Sequence, residues 1–470
     1  MNTAQVAHPS VEERTATGRA ARKQVRRSTH SGWSPAADRP DPVALLEEQN
    51  AARDSDLVPV RHGRMLASPF TFYRGAARIM AVDLKDTPRA GLNVQLCGDA
   101  HLSNFGVFAS PERTLLFDLN DFDETLPGPF EYDVERLAAS FVVAARNNGL
   151  GEAESKQTAV TVVREYRERM AEFAELGALA IWYSRIAAEE TLEALRATAS
   201  KKQAKLTNRA GTLLSKARTK DSLQALSKLG EVVNGEYRIV SDPPLVVPMR
   251  EVGAIYDLDP EVVEKFVHDS LRDYRATLEE DRRHLLERYR VVDVARKVVG
   301  VGSVGTRAFI VLLQGRDEAD PLFLQVKEAS ASVFEDHLPK SRWSNHGERV
   351  VQGQRMMQAA SDIFLGWTKG LDKDRHYYWR QLRDMKGSAE IEVMTAEALN
   401  MYARLCGWAL ARAHARSGDP IAISAYLGLS DRFDQAIGDF AQRYADQNER
   451  DYELFAAAVA SGRLEATEGV

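Results

Sequence analysis

The chain has 470 residues, 44% of them apolar and 28% charged, with a formal net charge of −6. This is a globular balance, long enough for one large core or two medium ones, and it excludes a general nucleic-acid binder, which would carry a basic excess. Two cysteines, Cys97 and Cys406, exclude a disulfide framework or a zinc cluster and make a reducing cytoplasm the expected setting.

Residues 1–55 contain the Arg-rich run RTATGRAARKQVRRS, which lacks the apolar centre of a signal peptide. They are expected to form a poorly ordered basic tail, with docking through the Arg-Lys cluster as the alternative role. SPFTFYRGAARIMAVDL, from Ser68 to Leu84, suits a helix. GLNVQLCGD reads as a short strand running into a loop, and FGVFAS and RTLLFDL as a strand pair around a Ser-Pro turn. Helical spacing returns from Tyr132 to Leu150 and ends at Asn-Asn-Gly. Residues 152–233 are helix-rich and charged, with a basic middle (SKKQAKLTNRAGTLLSKARTKDS) that reads as a mobile insertion.

Asp242-Pro243-Pro244 breaks this region, and one further helix is expected from Pro260 to Tyr289. The texture then turns to β: VVDVARKVVG, TRAFIVLLQG and PLFLQVKEA are strand-like runs. A helix over 347–360, a strand in HYYWRQLRDM and helices from Thr395 onward complete the pass. No apolar stretch approaches the roughly 18 residues of a membrane span, so no membrane partner is expected.

The strongest chemical signal is CGDAHLSNFG followed by LLFDLNDFDE. Phosphoryl transfer needs a carboxylate that orients an acceptor hydroxyl and takes its proton, together with oxygen ligands for a magnesium ion on the phosphates. Asp99 suits the first task. Asn104 and Asp118 suit the second, Asn104 from the same tight loop and Asp118 from the end of an adjacent apolar strand. Asp121 and Asp123 are extra acids; Asp121 is a second candidate metal ligand and competes for the role given to Asp118.

Gly300, Gly302 and Gly305, with Ser303 between them, follow a strand and precede TRAFIVLLQG. A dinucleotide site would open a helix at this point. A returning strand instead makes a hairpin loop whose backbone amides can approach phosphates. Lys327 ends the next strand, where its ammonium would hold the α and β phosphates of ATP. Tyr378, Arg380, Gln381 and Arg383 lie on a strand suited to joining two lobes, and Arg380, Arg383 and Lys386 bind an anion or face solvent. His414 reads as a packed or surface residue.

GDAHLSNFG and the strand after it resemble the G-D-x-H-x-x-N loop and I-D-x-[DE] strand of aminoglycoside phosphotransferases, choline kinases and related small-molecule kinases. The resemblance implies Asp99 as catalytic base, His101 as a loop-stabilising residue, Asn104 and Asp118 as metal ligands, and Asp133 in PFEYDVERLA as the acid that braces the loop. It also asks for a helix glutamate paired with Lys327, for which Glu348 is the first choice and Glu335 the alternative. Arg307 departs from the valine often found after the glycine loop. RMLASPFTFYRG, GDAHLSNFG, FDLNDFDET, RKVVGVGSVGTR, LQVKEA, GQRMMQAASDIFLGW and YYWRQLRDMKGS together resemble the bacterial domain-of-unknown-function family 2252 over nearly everything after residue 45.

The fold expected is α+β and two-lobed, like a protein kinase. The glycine loop follows the catalytic loop by roughly two hundred residues, the reverse of the kinase order, so the fold is expected to be circularly permuted. After the basic tail, a helical lobe over 56–285 carries the catalytic loop. A β-rich nucleotide lobe spans 286–390, and helices over 391–470 complete the large lobe. The function expected is an ATP- and Mg2+-dependent phosphotransferase acting on an unknown hydroxyl-bearing substrate. The alternatives are AMP transfer, a non-catalytic nucleotide-binding regulator and, more weakly, a metallophosphoesterase, which would need histidine ligands that no motif supplies.

Overall fold

Ser10 opens the first helix with a capping box: its hydroxyl accepts from Glu13 N while its own N–H donates to the Glu13 carboxylate. In the computed structural model, which describes residues 8–469 apart from 199–200, 234–235, 252–259, 371–373 and 383, this helix is α1 (Val11–Gln24). The expected disordered tail is therefore folded from residue 8 onward. Its many arginines are used in packing: Arg14 pairs with Asp419, and Arg39 bridges Asp83 and Asp451 at 2.6 Å each.

Four short helices follow: α2 (Pro42–Asn50), α3 (Val58–Leu66), α4 (Pro69–Gly75) and α5 (Ala77–Leu84). The helix expected over 68–84 is broken at Ala76. Strands β1 (Asn93–Leu96), β2 (Phe105–Ala109), β3 (Leu115–Leu119) and β4 (Leu126–Pro129) lead into α6 (Phe130–Asn147) and α7 (Glu152–Ala174). Then come α8 (Ala178–Tyr183), β5 (Ile186–Ala187), α9 (Ala188–Thr198), α10 (Lys201–Arg218), α11 (Ser222–Leu229), β6 (Gly230–Val233), β7 (Glu236–Ile239) and β8 (Val246–Pro248). The helix expected over 260–289 is two, α12 (Pro260–Arg275) and α13 (Glu280–Leu286).

Strands β9 (Arg290–Lys297), β10 (Ala308–Gln314) and β11 (Pro321–Ala329) form an antiparallel meander. After α14 (His346–Met357) come β12 (Gly366–Lys369), which the sequence pattern misses, β13 (His376–Gln381) and β14 (Gly387–Ser388). Helices α15 (Ala396–Ser417), α16 (Pro420–Leu427) and α17 (Arg432–Ala460) end the chain.

The fold is α+β with antiparallel sheets. One sheet has the order β12-β13-β11-β10-β9-β8, and the catalytic-loop sheet has the order β14-β2-β3-β5. After β13 in the chain comes β14, which pairs with β2 through Gly387↔Val107 and Ser388↔Gly106. Period-two alternation divides the six-stranded sheet. Leu322, Leu324 and Val326 face an apolar cluster with Tyr274, Leu278 and Leu286. On the other face Phe323 packs with Ala225, Leu226 and Leu229, and Lys327 projects from the same side of β11. The small lobe thus draws β8 and helices α11–α13 from the stretch expected to belong wholly to the helical lobe.

The largest core surrounds α6, whose residues from Phe130 to Ala145 are all buried, and includes α7, α15, α16 and α17. Helix α1 seals one side of it. A Cβ at Gly18 would stand 2.0 Å from the Ala422 carbonyl oxygen, so Gly18→Val is expected to lift α1 off α16. The cost is about 1–3 kcal/mol for an overpacked contact, read as a lower midpoint of thermal unfolding for the full chain.

Candidate active site

Residues 97–104 turn tightly because their backbone is pinned on both sides. Asp133, in the first turn of α6, accepts from Cys97 N (2.6 Å) and Gly98 N (2.9 Å). Its carboxylate is steadied by His414 Nε2 at 3.2 Å, and His414 Nδ1 meets the Tyr166 hydroxyl at 2.9 Å. His414 is fully buried and packed. Gly98 has φ +84, and a side chain there would strike the Glu124 backbone.

Asp99 is held by a residue that the motif does not announce. Arg136 donates to its Oδ1 at 2.6 Å and lies over the Tyr73 ring at 4.4 Å. The signal was the spacing: Asp133 and Arg136 are one turn apart on α6 and share a face. This leaves Asp99 Oδ2 directed to a partly open site, with His101 Nε2 3.7 Å away. Burial, and then the charges of Arg74 and Arg136, bring the His101 imidazole down to about 4 against the pull of Asp99, so it is neutral near pH 7.

Asn104 is turned into the loop rather than outward. Its Oδ1 accepts from Asp121 N (2.7 Å), and its Nδ2 donates to the carbonyls of Asp121 (2.9 Å) and Asp99 (3.1 Å). The side chain expected to hold a metal therefore joins the catalytic loop to the acidic loop.

Asp118 requires a correction. Its side chain is 2% exposed and accepts from Arg412 Nη2 at 2.6 and 2.7 Å and from Ala359 N at 2.8 Å. It is an internal anchor for α15. The residues that reach Lys327 are Asp121, the competing choice, and Asp123. Lys327 Nζ lies 3.2 Å from Asp121 Oδ2 and 2.6 Å from Asp123 Oδ2. Tyr378, opposite Lys327 on β13, donates its hydroxyl to Asp123 Oδ1 at 2.7 Å. Both acids come from the loop between β3 and β4, which turns at Asp123.

The electrostatics follow from this geometry. Burial opposes charge on Asp121, but Lys327 and Arg380 outweigh it and hold the carboxyl well below the usual carboxylate range. Asp123 moves the other way, pushed up by burial and by the charge of Asp121. Burial works against the Lys327 ammonium, yet the two acids raise its pKa above that of an ordinary amine. Burial brings Glu124 to about 7 although Val333 N–H donates to it at 2.8 Å.

Glu348 does not pair with Lys327. Its N–H is capped by Asn345, and its carboxyl makes no ion pair with the lysine; Glu335 serves a local cap at Ser332. Helix α14 contributes the neighbouring residue instead. Arg349 donates to the carbonyls of Asp123, Thr125 and Ser330, tying the acidic loop to the end of β11.

The glycine loop is a strand–turn–strand hairpin between β9 and β10, with positive φ at Gly300 (+68) and Gly305 (+85). Gly302 runs against the Arg74 carbonyl, where a Cβ would stand 3.1 Å away, so part of the glycine requirement is packing. Ser303 Oγ is 3.4 Å from Asp123 Oδ2 and brings the loop to the same cluster. Arg380 bonds Gln325 and the Asn120 carbonyl, and Arg383 lies outside the described residues.

The profile described as an uncharacterized protein conserved in bacteria (DUF2252) matches residues 53–458. The chain belongs to this family. No curated protein and no solved structure matches it. All the site residues of this DUF2252 chain fall within the match, whereas α1 and α2 precede it and pack on the C-terminal helices. Among the described residues no helix is long and apolar enough to cross a membrane, and no group of three or more His, Cys, Asp or Glu is arranged to hold a metal ion. Asp121 and Asp123 form a pair. That number suits magnesium, which takes one or two protein carboxylates and fills its other positions with water and phosphate oxygens. The ammonium lodged between them marks a place where a cation is favoured.

Two outcomes follow. Asp118→Ala leaves Arg412 buried without its anion and is expected to cost about 3–5 kcal/mol in denaturant unfolding. Glu124 keeps in the folded state a proton that the unfolded chain releases near its ordinary value of 4.5. Its contribution to stability is therefore present at low pH and declines as pH rises from about 4.5 to about 7. Glu124→Gln is expected to flatten that part of the unfolding-midpoint profile.

Proposed function

We propose that the chain is an ATP- and magnesium-dependent phosphotransferase with a kinase-like, circularly permuted fold, acting on a hydroxyl group of a small molecule or protein. The observation that carries this reading is the bridge from Lys327 to Asp121 and Asp123, reached by Ser303 of the glycine loop and joined to the Asp99 loop through Asn104. Groups separated by 206 and 204 positions in the chain thus meet in one cluster. The permuted order is supported by the return of α17 to the N-terminal helices, where Tyr452 donates to the Leu66 carbonyl and Asn448 to that of Pro69.

In this reading Arg136 fixes one oxygen of Asp99 so that the other accepts the hydrogen bond of the acceptor hydroxyl. The acceptor oxygen forms a bond to the γ-phosphorus, the bond from that phosphorus to the β–γ bridging oxygen breaks, and the hydroxyl proton passes to Asp99. Lys327 exchanges its carboxylate partners for phosphate oxygens. Magnesium on Asp121 and Asp123 would neutralise the charge on the β and γ phosphates. His101, neutral and buried, shapes the loop and carries no proton.

Mass spectrometry of products formed from Mg-ATP and a panel of hydroxyl compounds tests the reaction. ADP with a phosphorylated product supports it; pyrophosphate with an adenylylated product replaces it by AMP transfer. Asp99→Asn is expected to lower turnover at least about a hundredfold while ATP still binds, the size associated with losing a general base. Asp121→Asn and Asp123→Asn should weaken nucleotide binding only when magnesium is present. Wild-type rates in Asp99→Asn would remove Asp99 from the chemistry.

A further inference from the structure

Two arginines beside the glycine loop have no anion of their own. Arg74, at the end of α4, makes no ion pair and no side-chain hydrogen bond among the described residues, and its Nε is buried without a partner. Its backbone carbonyl lies against Gly302; Glu392 and then Asp99 act on its charge from a distance, and it acts in turn on His101. Arg53, just before α3, lies against Gly305 and donates from Nη1 to the Val304 carbonyl. It too makes no ion pair among the described residues, its Nε is unsatisfied, and the nearest acids acting on it are Glu124, Glu328 and Asp123.

A guanidinium taken out of water without a counter-charge is unfavourable. Elsewhere the same chain satisfies its buried arginines: Arg39, Arg136, Arg167 and Arg412 have carboxylate partners, and Arg61 and Arg349 each donate to three neutral oxygen acceptors. Arg53 and Arg74, with one acceptor between them among the described residues, flank one loop at Gly305 and Gly302. A guanidinium presents its donors in a planar fork that matches phosphate oxygens in pairs.

We infer that Arg53 and Arg74 form a clamp for a phosphate-bearing anion at the glycine loop, either the polyphosphate tail of the nucleotide or a phosphate carried by the acceptor. The inference takes its setting from the phosphotransfer reading but depends on neither Asp99 nor turnover. It assigns the approach side of the cleft to the N-terminal helices, with the arginines meeting the anion from across the loop while Lys327 meets it from the sheet.

Calorimetry on the full chain at low salt, with tripolyphosphate as the probe, tests the clamp directly. The wild-type protein is expected to bind it, more weakly as salt rises, and Arg53→Gln and Arg74→Gln are each expected to weaken binding at least tenfold, with partial recovery in Arg74→Lys. An unchanged affinity in Arg74→Gln, or no binding by the wild type, overturns the clamp. Should Arg53→Gln lower the unfolding midpoint, Arg74→Gln alone decides, because among the described residues the Arg74 side chain donates no hydrogen bond and lies only over the Phe70 ring at 6.0 Å. A parallel loss of Mg-ATP affinity identifies the anion as the nucleotide tail. Unchanged Mg-ATP affinity, with inorganic phosphate still binding to the ATP-saturated wild type but not to Arg74→Gln, identifies the acceptor's phosphate. Tripolyphosphate binding through both arginines without any Mg-ATP binding would sink the phosphotransfer reading and leave the clamp standing. Magnesium-dependent ATP binding that needs Asp121 but neither arginine would do the reverse.

Discussion

One ammonium group joins the six-stranded sheet to the acidic loop. Lys327 Nζ lies between Asp121 and Asp123, which are 206 and 204 positions earlier in the chain, and its side chain is 2% exposed. With Arg380 acting on the same two acids, two positive and two negative groups are gathered at one point. Removing the acids would leave the Lys327 ammonium buried without its anions, whereas Asp121 and Asp123 are partly exposed at 40% and 28%. The alternation of β11 makes the bridge possible. A slip of one residue would bury Lys327 among Tyr274, Trp379 and Leu278 and bring Val326 to the acids.

Around that bridge, buried polar groups do work that apolar packing could not. Asn104 uses both ends of its amide to fix the distance between the catalytic and acidic loops, and Arg349 collects three carbonyl groups left by the turn at Asp123 and the end of β11. Each is satisfied only if the segments it touches are in place. Such networks specify geometry rather than add stability, because their members are costly when left unpaired.

Local pattern carried the sequence reading where local physics decides structure. The strand pair 105–119, the hairpin around the three glycines and the lysine-bearing strand all follow from alternation and turn residues, and the convergence of Lys327 with an early acidic loop was legible in the motif types. Partner choice was not. Asp118 and Asp121 are both acids near the end of the same strand, and what separates them is Arg412, nearly three hundred residues downstream and visible only once α15 packs against β3. The glutamate expected opposite Lys327 failed for a related reason: α14 presents Arg349 to the site, and the acids come from the loop. The N-terminal arginines looked like a solvated arm because charge density suggests disorder. Their acidic partners Asp419, Asp83 and Asp451 lie too far along the chain for composition to reveal.

The brace on the Asp99 loop sets an order of events. Asp133 is oriented by His414, 281 residues later, and Asp118 is neutralised by Arg412, 294 residues later. A ribosome adding about 5–20 residues per second would emit these partners some tens of seconds apart. During that interval the nascent segment around Asp99 has its strands and turn but not the imidazole and guanidinium that lock them. The Asp99 loop therefore gains its full set of braces only when the last helices arrive, and a chain truncated before α15 would carry the motif intact yet lack the side chains that hold its shape.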